Sequence, residues 1–197
     1  MTIEGIILAA GFSSRAGAFK MELPLGQRKL LEITIETMKN WCSRIVVVAG
    51  YMPDRVKAIV RPYAFVHAAV NNEFQRGMFS SVQEGVRHLE GDAFFMTPGD
   101  YPFITPLVYQ TLTNALETAS PGTDIFIPTF NGRKGHPVLM KKRMVNEILA
   151  EPVDSMLKTV INRNPFALVE VGEEGILIDV DTPEDYEKAK IRLNKDF

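Results

Sequence analysis

Cysteine is nearly missing from this sequence: Cys42 stands alone among 197 residues. An intramolecular disulfide is therefore impossible, which suits a reducing compartment. A zinc site built on several cysteines is excluded as well. Nothing near Cys42, which follows Trp41, suggests an activated thiol. Positive charge is not in excess either. The chain carries 22 Lys and Arg against 24 Asp and Glu, a net charge of -2, so a general binder of DNA or RNA is disfavoured. An anionic ligand must instead meet cations gathered locally. Long apolar runs are absent too. None approaches the ~20 residues that cross a bilayer. The run Ile6 to Ala10 breaks at Gly11 and is too short for a secretory leader. These absences predict a cytoplasmic protein with no membrane or nucleic-acid partner.

What the sequence does contain is apolar runs of strand length alternating with helix-like segments. GIILAA (Gly5 to Ala10), RIVVVA (Arg44 to Ala49), Ala64 to Val70 and AFFMT (Ala93 to Thr97) read as buried strands. Asp124 to Pro128, His136 to Met140, Ala167 to Val171 and Gly175 to Val180 read as further short strands. Helical spacing runs from Leu30 to Lys39, where Leu30, Leu31, Ile33, Ile35 and Met38 form an inward stripe. It recurs over Asp54 to Val60, Met78 to Leu89, Pro106 to Thr118, Lys142 to Ala150, Ser155 to Asn162 and Pro183 to Leu193. The alternation predicts a Rossmann-like, three-layer α/β/α fold with a mostly parallel central sheet. A single domain over residues 1–197 is expected. Ligands of such sheets bind beyond the C-terminal strand ends, so the segments that follow strands carry the question of function.

The first such segment reads LAAGFSSRAGAFK, Leu8 to Lys20. Gly11 and Gly17 allow close backbone approach, and Ser13 and Ser14 add hydroxyl donors. Backbone N–H groups of such a loop cradle phosphate oxygens, and Arg15 and Lys20 supply the charge a polyphosphate needs. The spacing matches neither a P-loop nor a dinucleotide fingerprint. A glycine turn with solvated charges accounts for the same letters.

The second segment is TPGDYPFITP, Thr97 to Pro106. Asp100 stands there at a strand's C-terminal edge, a lone carboxylate of the kind Mg²⁺ takes alongside phosphate oxygens and water. Asp is also a common turn former. The third is ILIDVDTPEDY, Ile176 to Tyr186. Asp179 and Asp181 are two apart on an extended segment and share a side, so either completes a metal site with Asp100. Asp181 or Thr182 equally suits the N-cap of the last helix, with Glu184 and Asp185 complementing its dipole.

LAAGFSSRAGAFK resembles the L-x-x-G-x-x-x-R-M-G-x-x-K signature of sugar-phosphate-type and molybdenum cofactor nucleotidyltransferases. In particular it resembles the MobA/MocA-like group, which makes cytosine or guanine dinucleotide forms of molybdopterin. Ala16 departs from the usual methionine. The resemblance extends over nearly the whole chain. GDYPFI resembles the family's metal-holding G-D-x-P segment, and DVDTPEDY its D-x-D-T-P-E-D-Y segment. NNEFQRGMFSS resembles N-x-x-x-x-x-G-M-x-x-S, matching Asn71, Gly77 and Ser81, and GRKGHPVLM resembles G-x-x-G-H-P-V-L.

The resemblance implies a loop wrapped around a triphosphate, with Arg15 and Lys20 stabilising it. Leu8, Ala9 and Ala10 contact the base through their backbone. Ala9-Ala10 favours CTP, since family members with Gly-Gly take GTP. Asn71 and Ser81 help hold the nucleotide, although Ser81 also suits a helix cap. Asp100 and Asp181 bind Mg²⁺, with Asp179 beside them. His136 lines the acceptor side, as a general base or, preferably, as a positioning hydrogen-bond partner. EPVDSMLKT, Glu151 to Thr159, keeps Asp154 for the acceptor but lacks the glycines and arginine of the family's Gly-Asp-x-Gly-Ala-Arg.

The implied reaction is Mg²⁺-dependent transfer of NMP, CMP for preference, from an NTP to a phosphorylated acceptor, molybdopterin first, releasing pyrophosphate. The alternatives are a sugar phosphate or other phosphorylated alcohol as acceptor, or a non-catalytic nucleotide-binding maturation factor partnered with a molybdoenzyme.

Overall fold

The computed structural model of the protein describes residues 1–12 and 18–193. In chain order its elements are β1 (Ile3–Ala9), a hairpin of β2 (Pro24–Leu25) and β3 (Arg28–Lys29), α1 (Leu30–Met38), β4 (Ile45–Ala49), α2 (Pro53–Val60) and β5 (Val66–Val70). There follow α3 (Met78–Val86), β6 (Ala93–Pro98), α4 (Pro106–Glu117), β7 (Ile125–Phe130), β8 (Arg133–Lys134) and β9 (Val138–Lys141). The rest comprises α5 (Met144–Ala150), α6 (Leu157–Arg163), β10 (Phe166–Glu170) and α7 (Pro183–Leu193).

The large sheet has the order β10-β7-β9-β6-β1-β4-β5, with β8 on β7. β1 pairs parallel with β4 and β6, β4 with β5, and β7 with β10. β9 alone among the longer strands runs against its neighbours β6 and β7. The sheet is thus mixed and mostly parallel, flanked by helices on both faces.

Side-chain alternation along β1 builds both cores. Ile7 and Ala9 join Leu31, Ile35, Tyr109 and Leu112 beneath α1, α2 and α4. Ile6 and Leu8 join Val82, Val86, Met144 and Ile148 beneath α3 and α5. Strands buried on both sides must be apolar at nearly every position, which is why the runs read as continuous. In α1, Ile33 of the expected inward stripe packs half-buried against the C-terminal helix cluster, and Thr34, outside that stripe, is buried. The Thr34 hydroxyl donates to backbone carbonyls, including that of Gly99 at 3.2 Å, so its burial leaves no unsatisfied donor.

One predicted strand is absent. Gly175 to Val180 forms no ladder: Glu174–Leu177 is a 3₁₀ turn and the following residues run on without a strand partner. Gly175 lies so close to the Phe103 carbonyl that a Cβ would collide with it. The segment is held by single bonds, the His136 N–H to the Ile176 carbonyl at 3.0 Å and the Val180 N–H to the Asp100 carbonyl at 3.0 Å. A short apolar run cannot distinguish such a wedged connection from a strand. Among the described residues no helix is long and apolar enough to cross a membrane.

Candidate active site

β4 and β5 lie on one side of β1, and β6 lies on the other. The chain therefore departs in opposite directions beyond the adjacent C-terminal ends of β1 and β6, leaving a crevice there. That crevice is a cavity of roughly 460 Å³. The Gly99 N–H bonds to the Leu8 carbonyl at 2.9 Å, which carries the β1–β6 register to its last residue. Asp100 follows at once and enters the cavity wall.

Lys20 begins a 3₁₀ turn, Lys20–Glu22, anchored by buried Met21. Its ammonium donates to Asp100 Oδ2 at 2.6 Å and to Asp181 Oδ1 at 2.5 Å. Three of the residues expected at the site, drawn from the start, middle and end of the chain, thus meet at one point. Burial alone would lower the Lys20 pKa, but the Asp100 and Asp181 carboxylates outweigh it and hold it above the usual lysine value. Asp179 lines the same wall. Burial, reinforced by Asp181 and Asp100, raises its pKa. Tyr101 is raised by burial and by the same three carboxylates.

Asp181 does not cap α7. The Thr182 hydroxyl accepts the Asp185 N–H at 3.1 Å, and the Asp185 carboxylate accepts the Thr182 N–H at 2.9 Å. This reciprocal cap leaves the Asp181 side chain to the cleft. Asp100 Oδ1 is buried and has no hydrogen-bond partner among the described residues. A hard divalent cation suits an orphaned carboxylate oxygen beside a second carboxylate. Among the described residues no three potential ligands converge into a preformed cage. Mg²⁺ needs none when phosphate oxygens and water complete its shell.

Leu8, Ala10, Gly11 and Ser81 line the cavity, whereas the Ala9 side chain packs in the core. Buried Asn71 donates to Ser80 Oγ at 2.8 Å and to Ser81 Oγ at 2.9 Å. Asn71 therefore orders Ser81 rather than meeting the cavity itself. Ser81 does not cap α3; the residue before that helix is Gly77, whose φ of 103° requires glycine.

His136 lines the cavity with its ring against Tyr101, centroids 4.8 Å apart. Burial pushes its pKa down to about 4, against a raising hydrogen bond with the Met96 backbone. It is thus neutral at physiological pH, and its Nδ1 has no partner among the described residues. Asp154 departs from expectation. Its exposed carboxylate pairs with Arg76 at 3.3 Å, and neither this cavity nor the one next to it includes it in its wall. Ser13, Ser14, Arg15 and Gly17 lie outside the described residues.

The sequence reading missed an aromatic group and a second cavity. Phe12, half exposed, stands 5.1 Å from Phe74 and 5.6 Å from Tyr51 between ring centroids, and Phe12 and Phe74 line the cleft. Phe12 sits inside the first motif and Phe74 inside NNEFQRG, so aromatic letters within two loop motifs were the available signal. The second cavity, roughly 440 Å³, adjoins the first and shares Leu8, Gly77, Met78, Pro98 and His136 with it.

Comparison with known proteins gives the family of the chain. A model of the MobA-like NTP transferase domain matches residues 5–168. The molybdenum cofactor cytidylyltransferase of Escherichia coli (strain K12) is 29% identical over 193 residues, covering 98% of each chain. A probable molybdenum cofactor guanylyltransferase of Natranaerobius thermophilus is 25% identical, covering 98% of this chain and 97% of its own. Among solved structures, a nucleotidyl transferase from Methanothermobacter superposes with a TM-score of 0.84 at 20% identity, covering 100% of this chain and 99% of its own. At that identity the likeness speaks for the fold. With the family model spanning most of the sequence, the chain belongs to the MobA-like NTP transferase family and is a nucleotidyltransferase.

Proposed function

We propose that the protein transfers CMP from CTP to molybdopterin with the help of Mg²⁺, releasing pyrophosphate. The observation that carries this reading is the meeting of Lys20, Asp100 and Asp181 at the crevice between β1 and β6, with Asp100 Oδ1 left without a partner among the described residues. Asp100 and Asp181 would hold the cation, with Asp179 beside them. When bound, Mg²⁺ supplies Lewis-acid polarisation of the α-phosphate.

The remaining work falls to this chain's own residues. An acceptor phosphate oxygen attacks the α-phosphorus, a new P–O bond forms, and the bond to the bridging oxygen breaks with its electrons leaving on pyrophosphate. A phosphate monoester, with its second pKa near 6, is already largely dianionic at neutral pH. No protein nucleophile or strong base is required, and catalysis is positioning and charge stabilisation. Lys20, with its raised pKa, stays charged and turns from its carboxylates to the departing pyrophosphate; Arg15 assists it. Neutral His136 fills a positioning role, since a pKa near 4 leaves it a poor base.

CTP is favoured by Ala9-Ala10 and by the cytidylyltransferase relative. Ala10 lines the cleft. Molybdopterin is favoured by both curated relatives.

The test is pyrophosphate release with Mg²⁺, each of the four NTPs, and a panel of acceptors including molybdopterin. Release with CTP and molybdopterin is expected. Release only with a sugar phosphate or another phosphorylated alcohol would keep the chemistry and overturn the acceptor. Release with none of them would overturn the reading.

A further inference from the structure

The large sheet ends on one side at β10, whose ladder partner is β7 alone among the described strands. The bonds that flank the ladder tell which way its backbone groups point. The Pro165 carbonyl accepts the Asp124 N–H, and the Val171 N–H donates to the Thr129 carbonyl. In a parallel ladder, alternate residues turn both their N–H and C=O to the same neighbour. Pro165, Ala167, Val169 and Val171 therefore face β7, and the backbone groups of Phe166, Leu168 and Glu170 face outward. Among the described residues nothing bonds to them on that side.

The side chains leave the same edge bare. Phe166 and Leu168 stand in register with Ile125 and Ile127 and share their face of the sheet, the one beneath α5 and α6. Ala167 and Val169 take the other face and pack against the core beneath α4. No helix covers the first pair, which is 38% and 53% exposed. The Lys134 ammonium lies 4.4 Å from the centre of the Phe166 ring. At the strand's other end the Glu170 carboxylate is fixed by the Thr129 hydroxyl at 2.9 Å and the Asn131 N–H at 3.2 Å. Exposed edges usually carry lysine, proline or a bulge that deters pairing, and Phe166–Glu170 contains none of these. The opposite edge, β5, is better guarded: its Val66 N–H is taken by the Tyr63 carbonyl at 2.9 Å, and the residue it exposes is His67.

We propose that β10 is a dimer interface, pairing antiparallel with the same strand of a second copy about a two-fold axis at Leu168. The outward-facing residues are symmetric about Leu168, so this register satisfies all of their backbone groups. Leu168 exchanges N–H···O=C bonds with the partner's Leu168, and Phe166 with the partner's Glu170. A slip of one residue sets outward groups against inward ones, and a slip of two leaves an end unpaired. On the bare face the two leucines meet directly, and each phenylalanine lies diagonal to the partner's Leu168. The same register carries Lys134, seated on Phe166, toward the partner's Glu170, which places opposite charges across the strands. An unrelated extended peptide would match the backbone but not this charge placement. The cleft at β1 and β6 lies several strands away, so the proposal is independent of the transfer reading.

The experiment is sedimentation equilibrium of the full chain at ~50 µM, above the micromolar Kd that a strand pairing of this kind supports. A mass of twice the 22.1 kDa monomer is expected to dominate. Leu168→Lys sets two like charges against each other at the axis and should weaken association at least ~tenfold, whereas Leu168→Ile should retain it. Far-UV circular dichroism of Leu168→Lys should match the wild type, since the position is exposed. Leu168→Cys tests the register: on oxidation it should link two chains, because directly opposed strand residues lie within disulfide reach. Ala167→Cys, which points to the other face and sits off the axis, should not, and neither should the wild type with its lone Cys42. A monomeric wild type at that concentration, a dimer that Leu168→Lys leaves intact, or linking through Ala167→Cys as readily as through Leu168→Cys overturns the proposal. Should Leu168→Lys fail to fold, the two cysteine variants decide.

Discussion

Two buried carboxylates sit at opposite ends of the same central strands, and their surroundings differ. Glu4, on β1, is 4% exposed, and every demand it makes is met. Its Oε1 accepts the Arg44 Nε–H at 3.0 Å, and its Oε2 accepts the N–H groups of Glu90 at 2.6 Å and Gly91 at 2.8 Å. Asp100, beyond β6, is 8% exposed, yet one of its oxygens has no partner among the described residues, and Asp179 and Asp181 face it with like charge. A buried group left unsatisfied costs stability. Glu4 closes the bottom of the fold, whereas Asp100 leaves one oxygen open toward the cleft among the described residues. Burial does not separate a structural carboxylate from a functional one; what it is bonded to does.

The contrast breaks most visibly by mutation at the top. Lys20→Ala should lower kcat by two or more orders of magnitude, roughly 3 kcal/mol of transition-state stabilisation. An unchanged kcat would remove Lys20 from the chemistry. Asp100→Asn should remove Mg²⁺-dependent turnover while keeping thermal stability within about 1 kcal/mol, since the variant relieves like-charge repulsion as it loses an ion pair. Calorimetry beside a pyrophosphate assay reads both. Glu4→Ala is the mirror case. It strands a half-buried Arg44 and two backbone donors, so a loss of about 3 kcal/mol in folding stability is expected with kcat unaltered. A fall in kcat without a fall in stability would erase the distinction drawn between the two ends.

The top of the fold was readable because its chemistry is local. Asp100 follows a strand directly, and Lys20 closes a motif on the next crossing, so parallel-sheet topology alone brings them together. The order of strands on the far side was less readable. HPVLM is as continuously apolar as a parallel strand, but β9 runs antiparallel because the short turn and the β8 stub reverse the chain after β7. Capping of α7 and a place in the cleft competed for Asp181 on the same letters, and the geometry gives the cap to Thr182 and Asp185. The second cavity, whose wall brings Met78 and Met156 together, could not be read at all. Met78 and Met156 are far apart in sequence, and each looks like an ordinary apolar residue at a helix start.

A fourth prediction concerns the junction between the two cavities. His136 has a folded pKa of about 4, below the ordinary histidine value, so the unfolded chain binds more protons between those two limits. Stability supplied by the neutral ring is fully present above pH ~6.5 and is lost as pH falls toward 4, by roughly 2 to 3 kcal/mol in all. Melting temperatures across that range should fall more steeply for the wild type than for His136→Gln. Parallel slopes would show that another group governs acid unfolding.

The smallest expected effect tests how finely the cleft is shaped. Ala10 is 7% exposed, and its methyl borders the cavity where the family likeness puts the base, while Ala9 faces the core. Removing one methyl from a pocket wall alters discrimination by only about 1 kcal/mol, or roughly fivefold. Ala10→Gly should therefore move the GTP-to-CTP ratio of kcat/KM toward GTP by about that factor, leaving the Lys20 and Asp100 dependence untouched. Ala9→Gly should cost folding stability through a lost core contact and alter the ratio less. A shift in base preference from Ala9→Gly alone would mean that the base is read through the strand's backbone geometry rather than by the methyl that borders it.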